Sequence, residues 1–227
     1  MTNEERGQLL AAMRERHSVR SYLDTPISAE DRAVLQREID ACNAEAGIHL
    51  QLITDEPLAF GGLMARYGKF SGVRNYIACA GPKGPQLEEK LGYCGEQLVL
   101  LAQSRGLNSC WVALTYSKGK CACQLAPGEK LACVIALGHG ATQGTAHKSK
   151  AAQEVSSAPD GAPQWFASGV EAALLAPTAL NQQKFMLALE GERVRAEATG
   201  GPYSKIDLGI VKRHFELGSG KTPAIWL

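Results

Sequence analysis

The sequence predicts a mixed α+β fold in which one helix–strand–helix pattern occurs twice. Three observations lead there. Apolar residues at helical spacing line one face of several long segments, and between these stand short apolar or alternating runs with the two-residue period of strands. The pattern then recurs, in degenerate form, in the C-terminal part of the chain. With 227 residues and 45% apolar content, the chain is large enough to bury a core around such elements.

Thr2-Asn3-Glu4-Glu5 has the form of a capping box and opens a helix to about Arg14, with Leu9, Leu10 and Met13 on one face. An extended segment follows. Ser28 caps a second helix, with Leu35, Ile39 and Cys42 on its buried face and a stop at Gly47. Residues 48–54 alternate as a strand, 57–73 read as a loop or broken helix, and 75–80 as a short apolar strand ended by Gly81-Pro82. Residues 88–105 form the clearest helix, with Leu91, Cys94, Leu98, Leu101 and Ala102 in one stripe and Gly106 as its stop. Residues 110–114 and 131–137 read as buried strands, and 138–161 as a long polar connection. A helix over 164–176, a strand over 184–190, a helix over 206–217 and an edge strand at 224–227 complete the chain.

The repeat pairs helix 28–46 and strand 49–53 with helix 164–176 and strand 185–189. It also pairs Leu91-Gly92 through Gly106 with Leu208-Gly209 through Gly218. On this pattern the halves are 1–150 and 151–227, together one compact unit.

A net charge of +1 gives no electrostatic reason to expect nucleic acid or a membrane surface as partner. No apolar run approaches the roughly 18 residues of a membrane span, and Met1-Thr2-Asn3-Glu4-Glu5-Arg6 lacks a signal-peptide pattern, so a cytoplasmic protein is expected. Seven scattered cysteines suit a reducing compartment. Cys121-Ala122-Cys123 is the one close pair, and no second pair completes a zinc set, so no metal is expected.

Two motifs carry the chemistry: Arg16-His17-Ser18-Val19-Arg20-Ser21-Tyr22 near one end and Ala176-Pro177-Thr178-Ala179-Leu180-Asn181-Gln182-Gln183 near the other. In an extended chain, side chains 16, 18 and 20 share a face that offers cation, hydroxyl and cation. Alone, such a heptapeptide reads as a solvated basic loop. The second motif alone reads as a plain helix C-terminus. Gly138-x-Gly140 has the wrong spacing for a dinucleotide fingerprint. Trp165 and Phe166 read as core.

Together the two motifs resemble the halves of the FMN site in the nitroreductase family, and the chain is most similar to members in which one polypeptide mimics the usual dimer. The resemblance implies an FMN-binding α+β sandwich, a mostly antiparallel sheet flanked by helices, with internal duplication and one complete site per monomeric chain. It places Arg16 and Ser18 at the phosphate, His17 along the ribityl tail and Arg20 at flavin N1/O2, where it acts on the charge that reduction brings. It carries Pro177, Thr178 and Asn181 to the flavin, and Lys148 and Lys150 to the phosphate. It also implies that a backbone N–H of Ala113 or Leu114 faces flavin N5, while Lys69 is either a further contact or a surface lysine. The family's usual Gln-Pro-Trp ending is here Gln182-Gln183-Lys184-Phe185. The implied activity is ping-pong hydride transfer from NADH or NADPH through FMN to a nitroaromatic or quinone. A flavin-binding or flavin-sensing protein without turnover is the alternative.

Overall fold

The computed structural model describes residues 2–227. Its strands pair antiparallel throughout, except for a two-residue parallel ladder. Two compact units are present, and they do not follow a single cut after residue 150. One gathers residues 2–14, Glu88–Gln97 and His147–Leu227; the other holds Glu15–Leu87 and Leu98–Ala146. One helix is thus divided between them, because its N-terminal turns contact the C-terminal segment.

The second unit is built on a four-stranded sheet. Helix α2 (Ala29–Ala46) starts where Ser28 Oγ accepts the amide of Asp31 (3.0 Å), and ends at Gly47, whose φ of 62° is the left-handed conformation glycine adopts without cost. Strands β1 (His49–Ile53), β2 (Asn75–Pro82), β3 (Asn108–Val112) and β4 (Glu129–Gly138) lie in the order β1-β2-β4-β3. Between β1 and β2 the segment expected as a broken helix is a short 3-10 turn, Leu58–Phe60, and the one-turn helix α3, Leu63–Tyr67. Tyr76, Ala78, Val134 and Ala136 alternate onto one sheet face, where Phe60, Phe70 and Tyr116 complete an apolar cluster. Strand β3 begins and ends two residues before the sequence reading placed it, so Ala113 and Leu114 lie in the bend beyond it.

The first unit contains α1 (Asn3–Glu15) except for its last residue, the N-terminal turns of α4 (Leu87–Ser104), α6 (Gln164–Ala173), α7 (Ser204–Ser219) and a small sheet of β5 (Ser156–Ser157), β6 (Phe185–Glu190) and β7 (Arg193–Ala198). The sequence reading missed α5 (Ala152–Val155), β5 and β7. The expected edge strand at 224–227 is instead a 3-10 turn, Pro223–Ile225, with one bridge from Trp226 to Val194. Trp165, Phe166, Phe215 and Trp226 form a chain of ring contacts; Phe166 is core as expected, whereas Trp165 is only half-buried.

Helices α4 and α7 meet at glycine. A β-carbon on Gly92 would lie 2.0 Å from the carbonyl oxygen of Ile206, and one on Gly209 would lie 2.0 Å from that of Glu89. The contact is reciprocal: each glycine faces the carbonyl three residues before the other. Beside it, fully buried His214 lies between the carbonyl of Ala172 (Nδ1, 3.1 Å) and Glu96 (Nε2, 2.8 Å). Glu216 accepts from Tyr93 (2.6 Å) and from the indole of Trp226 (2.6 Å).

Candidate functional site

The segment after α1 is held extended by backbone bonds. The Val19 amide donates to the Ser109 carbonyl (3.0 Å), Ser71 donates to Arg20 (2.9 Å), Tyr22 donates to Ser71 (3.0 Å), and Ala141 donates to Ser21 (2.9 Å). The Tyr22 hydroxyl closes the arc by donating to the Val19 carbonyl (2.8 Å). Gly72 is required beside it, since a β-carbon there would lie 2.2 Å from the Tyr22 carbonyl oxygen at a φ of 69°. On this frame Arg16 is 3% exposed, Ser18 is half-buried and Arg20 is exposed.

Arg16 is the anomaly. Its Nε and Nη1 are buried without a hydrogen-bond partner, and so is the hydroxyl of Ser109 on β3. Cys110, next along β3, reports the surroundings: burial pushes its thiol up, while Arg20, a hydrogen bond with Ser18, and Arg16 pull it down. Arg16, Ser18, Arg20, Ser109 and Cys110 therefore share one electropositive neighbourhood. His17 is half-buried, and Gly144 crosses it so closely that a β-carbon there would touch it. The Arg20 guanidinium lies 5.9 Å from the Phe70 ring. Lys69 is exposed with a φ of 60°, Ala113 is half-buried and Leu114 exposed.

In the first unit, α6 stops at Ala173, three residues short of the helix that the sequence predicts, and a strained turn follows Pro177. Leu180, Asn181 and Gln183 all have positive φ (54°, 52° and 45°), costly for residues with side chains. Hydrogen bonds over-determine the turn. Gln183, 2% exposed, donates through Nε2 to the Lys148 carbonyl (2.9 Å) and to Asn181 Oδ1 (2.9 Å). Its Oε1 accepts the Lys150 amide (2.9 Å), and its own amide donates to Thr178 Oγ1 (3.0 Å). Lys150 Nζ donates to the Gln183 carbonyl (3.0 Å), and Asn181 Nδ2 to that of Lys148 (2.8 Å). From α7, Asp207 accepts from the Ala179 amide (3.0 Å) and from Gln182 (2.8 Å). Leu180 is left 92% exposed.

The profile of the family described as "Putative TM nitroreductase" matches residues 8–219. This chain belongs to that family. No curated protein matches it. Among solved structures, a "putative nitroreductase" from Thermotoga maritima is 21% identical with a TM-score of 0.67, covering 92% of this chain and 82% of its own. A "putative nitroreductase" from Desulfovibrio desulfuricans in complex with FMN is 20% identical, with a TM-score of 0.52, and covers 65% of this chain and 94% of its own. The NADPH:FMN oxidoreductase of Vibrio harveyi, complexed with NAD+, is 13% identical with a TM-score of 0.50, over 63% of this chain and 74% of its own. At these identities the likeness shows the fold, and it is the α+β nitroreductase fold.

Several residues of this nitroreductase-family chain escaped the sequence reading. Ser109 and Cys110 looked like any buried strand. Gln183 and Asp207 form the turn's hub, and the one hint was the departure of Gln182-Gln183 from the family ending. His49 and His214 pair with Glu129 (2.9 Å) and Glu96 (2.8 Å). Among the described residues, no helix is long and apolar enough to cross a membrane.

Asp207 gives a pH prediction. Burial lifts its carboxyl to about 6, against the downward pull of the Gln182 and Ala179 hydrogen bonds. Its folded value therefore lies above its unfolded one, so its contribution to stability is fully present below about pH 4 and lost as pH rises through about 6. The displacement corresponds to about 3 kcal/mol. In Asp207→Asn that component should vanish. Urea unfolding at roughly pH 4 and 7 should show a stability difference shifted from wild type by a large part of that amount; an unshifted difference would mean that Asp207 is solvated.

Proposed function

We propose that this chain is an FMN-dependent oxidoreductase. The observation that carries the reading is Arg16, a buried guanidinium with two unpaired nitrogens, on the motif that resembles a flavin site in a nitroreductase-family chain. Arginine stays charged at any ordinary pH, and two oxygens of a phosphate supply the bidentate acceptor that its planar guanidinium lacks. The hydroxyls of Ser18 and Ser109 offer further donors. FMN, when bound, supplies the two-electron redox chemistry, accepting hydride from NADH or NADPH at N5 for an electron-poor acceptor such as a nitroaromatic or quinone.

The residues of this chain bind and orient. Arg16 and Ser18 hold the phosphate, His17 frames the tail, and Arg20 places its charge at N1/O2. Lys69 and a backbone N–H of Ala113 or Leu114 are the other contacts of this set. Pro177, Thr178 and Asn181 are flavin contacts on the turn, with Lys148 directed to the phosphate. Lys150 keeps the same role, although its ammonium also braces Gln183. The relatives with FMN and with NAD+ support the cofactor and the donor class.

The reciprocal glycine contact of α4 and α7 supports duplication, because a residue-for-residue exchange of that kind marks a two-fold interface. A monomer is the expected species in light scattering.

The test is an absorbance spectrum and the flavin released by denaturation. One FMN per chain is expected, since each motif occurs once, and NADH or NADPH should bleach it. A colourless protein that ignores added FMN removes the reading; bound flavin that neither nicotinamide reduces leaves a flavin carrier. Arg20→Met should lower the flavin's reduction potential while weakening FMN binding only modestly, because the cation acts on charge that reduction adds. Equal potentials in variant and wild type would take Arg20 away from the ring.

A further inference from the structure

Seven cysteines lie in the chain and none is in a disulfide. Cys42, Cys79, Cys94, Cys110 and Cys133 are buried. Cys121 and Cys123 alone are half-exposed, and they stand one residue apart. They follow the 3-10 turn Lys118–Lys120, with Cys121 extended at φ −65° and ψ 125°. Residues i and i+2 of an extended chain project to the same side. Both side chains pack on the apolar cluster that also receives Ile53. The backbone is pinned as well. Ala122 donates its amide to the Tyr76 hydroxyl (2.9 Å), and Gln124 exchanges two bonds with the Gln51 side chain (2.8 and 2.9 Å). Two accessible thiols are thus held together on a fixed segment.

We propose that Cys121 and Cys123 form a binding site for a thiophilic centre that takes two sulfur ligands, the class of trivalent arsenicals and mercury(II). Sulfur selects soft centres. Among the described residues, no group of three or more His, Cys, Asp or Glu is placed to hold a metal, so the dithiol has no third or fourth ligand of that kind. Tetrahedral zinc and the oxygen-seeking cations are therefore poor occupants. Burial, then the neighbouring Cys121, pushes the Cys123 thiol up to about 11, so it is protonated at neutral pH. An arsenical consumes that form directly. R–As=O and two R′–SH give R–As(SR′)2 and water: two As–S bonds form, both thiol protons leave with the oxygen, and arsenic stays trivalent. With mercury(II), two Hg–S bonds form and two protons pass to solvent.

Native mass spectrometry of the reduced full chain titrated with phenylarsine oxide tests the site. One adduct per chain is expected. Cys121→Ser and Cys123→Ser should each bind at least about 100-fold more weakly, the loss that follows when the second thiol's effective concentration is removed. Cys42→Ala should bind like wild type. Since the condensation releases no proton, affinity should be flat across neutral pH, whereas mercury(II) affinity should rise with pH. Absence of an adduct on wild type, undiminished binding by either serine variant, or zinc held as tightly as the arsenical overturns the proposal.

Discussion

Replacing Gly209 with alanine is expected to cost about 2–4 kcal/mol of stability, and Gly92→Ala a similar amount. In an unencumbered helix the same change gains about 1 kcal/mol, because alanine loses less conformational freedom. Packing reverses the sign here. The new methyl at Gly209 would lie 2.0 Å from the Glu89 carbonyl oxygen and 2.6 Å from the Tyr93 amide nitrogen. Both are backbone atoms, so no rotamer change relieves the overlap, and α4 and α7 must separate. Separation also strains the Glu96–His214 and Tyr93–Glu216 hydrogen bonds, which span the same two helices. Gly7 supplies the control. It lies within α1, where a β-carbon would meet nothing within 4 Å, so Gly7→Ala should be neutral or mildly stabilising. Denaturant midpoints of the three variants decide the matter. An unchanged midpoint for Gly209→Ala would mean that the helices do not cross at this distance.

What the sequence made legible follows from where each signal resides. Helix α2 carries its own punctuation, Ser28 at one end and Gly47 at the other, and the structure begins and ends it there. Strand β3 was displaced because Cys110-Trp111-Val112-Ala113-Leu114 is an unbroken apolar run with no stop; only its pairing with β4 decides that it ends at Val112. Strand β7 was invisible for the opposite reason. Arg193-Val194-Arg195-Ala196-Glu197-Ala198 buries only Val194, and it is a strand because the turn at Gly191 folds it onto β6. The site divides in the same way. Arg16, Ser18 and Arg20 fall within five consecutive residues and so form a readable motif, but their graded burial is set by the distant segments that frame them. Asp207 acts on Ala179, 28 residues away, and Glu96 meets His214 across 118. No local pattern encodes such pairs.

Arg16→Met is expected to move two measurements in opposite directions, and that opposition makes it the sharpest test of the proposed site. Without its ligand, the protein holds a charged guanidinium that is 3% exposed and has two nitrogens unbonded. A buried charge with no partner is a net cost. Methionine fills a similar length of apolar space with no charge to desolvate, so the apoprotein should gain about 1–3 kcal/mol. If a phosphate is the missing partner, the same change removes charge-assisted hydrogen bonds worth about 1.5–3 kcal/mol, so FMN should bind roughly 10- to 100-fold more weakly. Thermal unfolding with and without FMN reads both quantities. Wild type should show the lower apo midpoint and the larger upward shift on adding flavin, since a ligand that binds only the folded chain stabilises it more at a given concentration the tighter it binds. Arg16→Met should start higher and shift less. A variant that starts lower and shifts as much as wild type would make Arg16 a structural residue, and the phosphate would have to be held elsewhere.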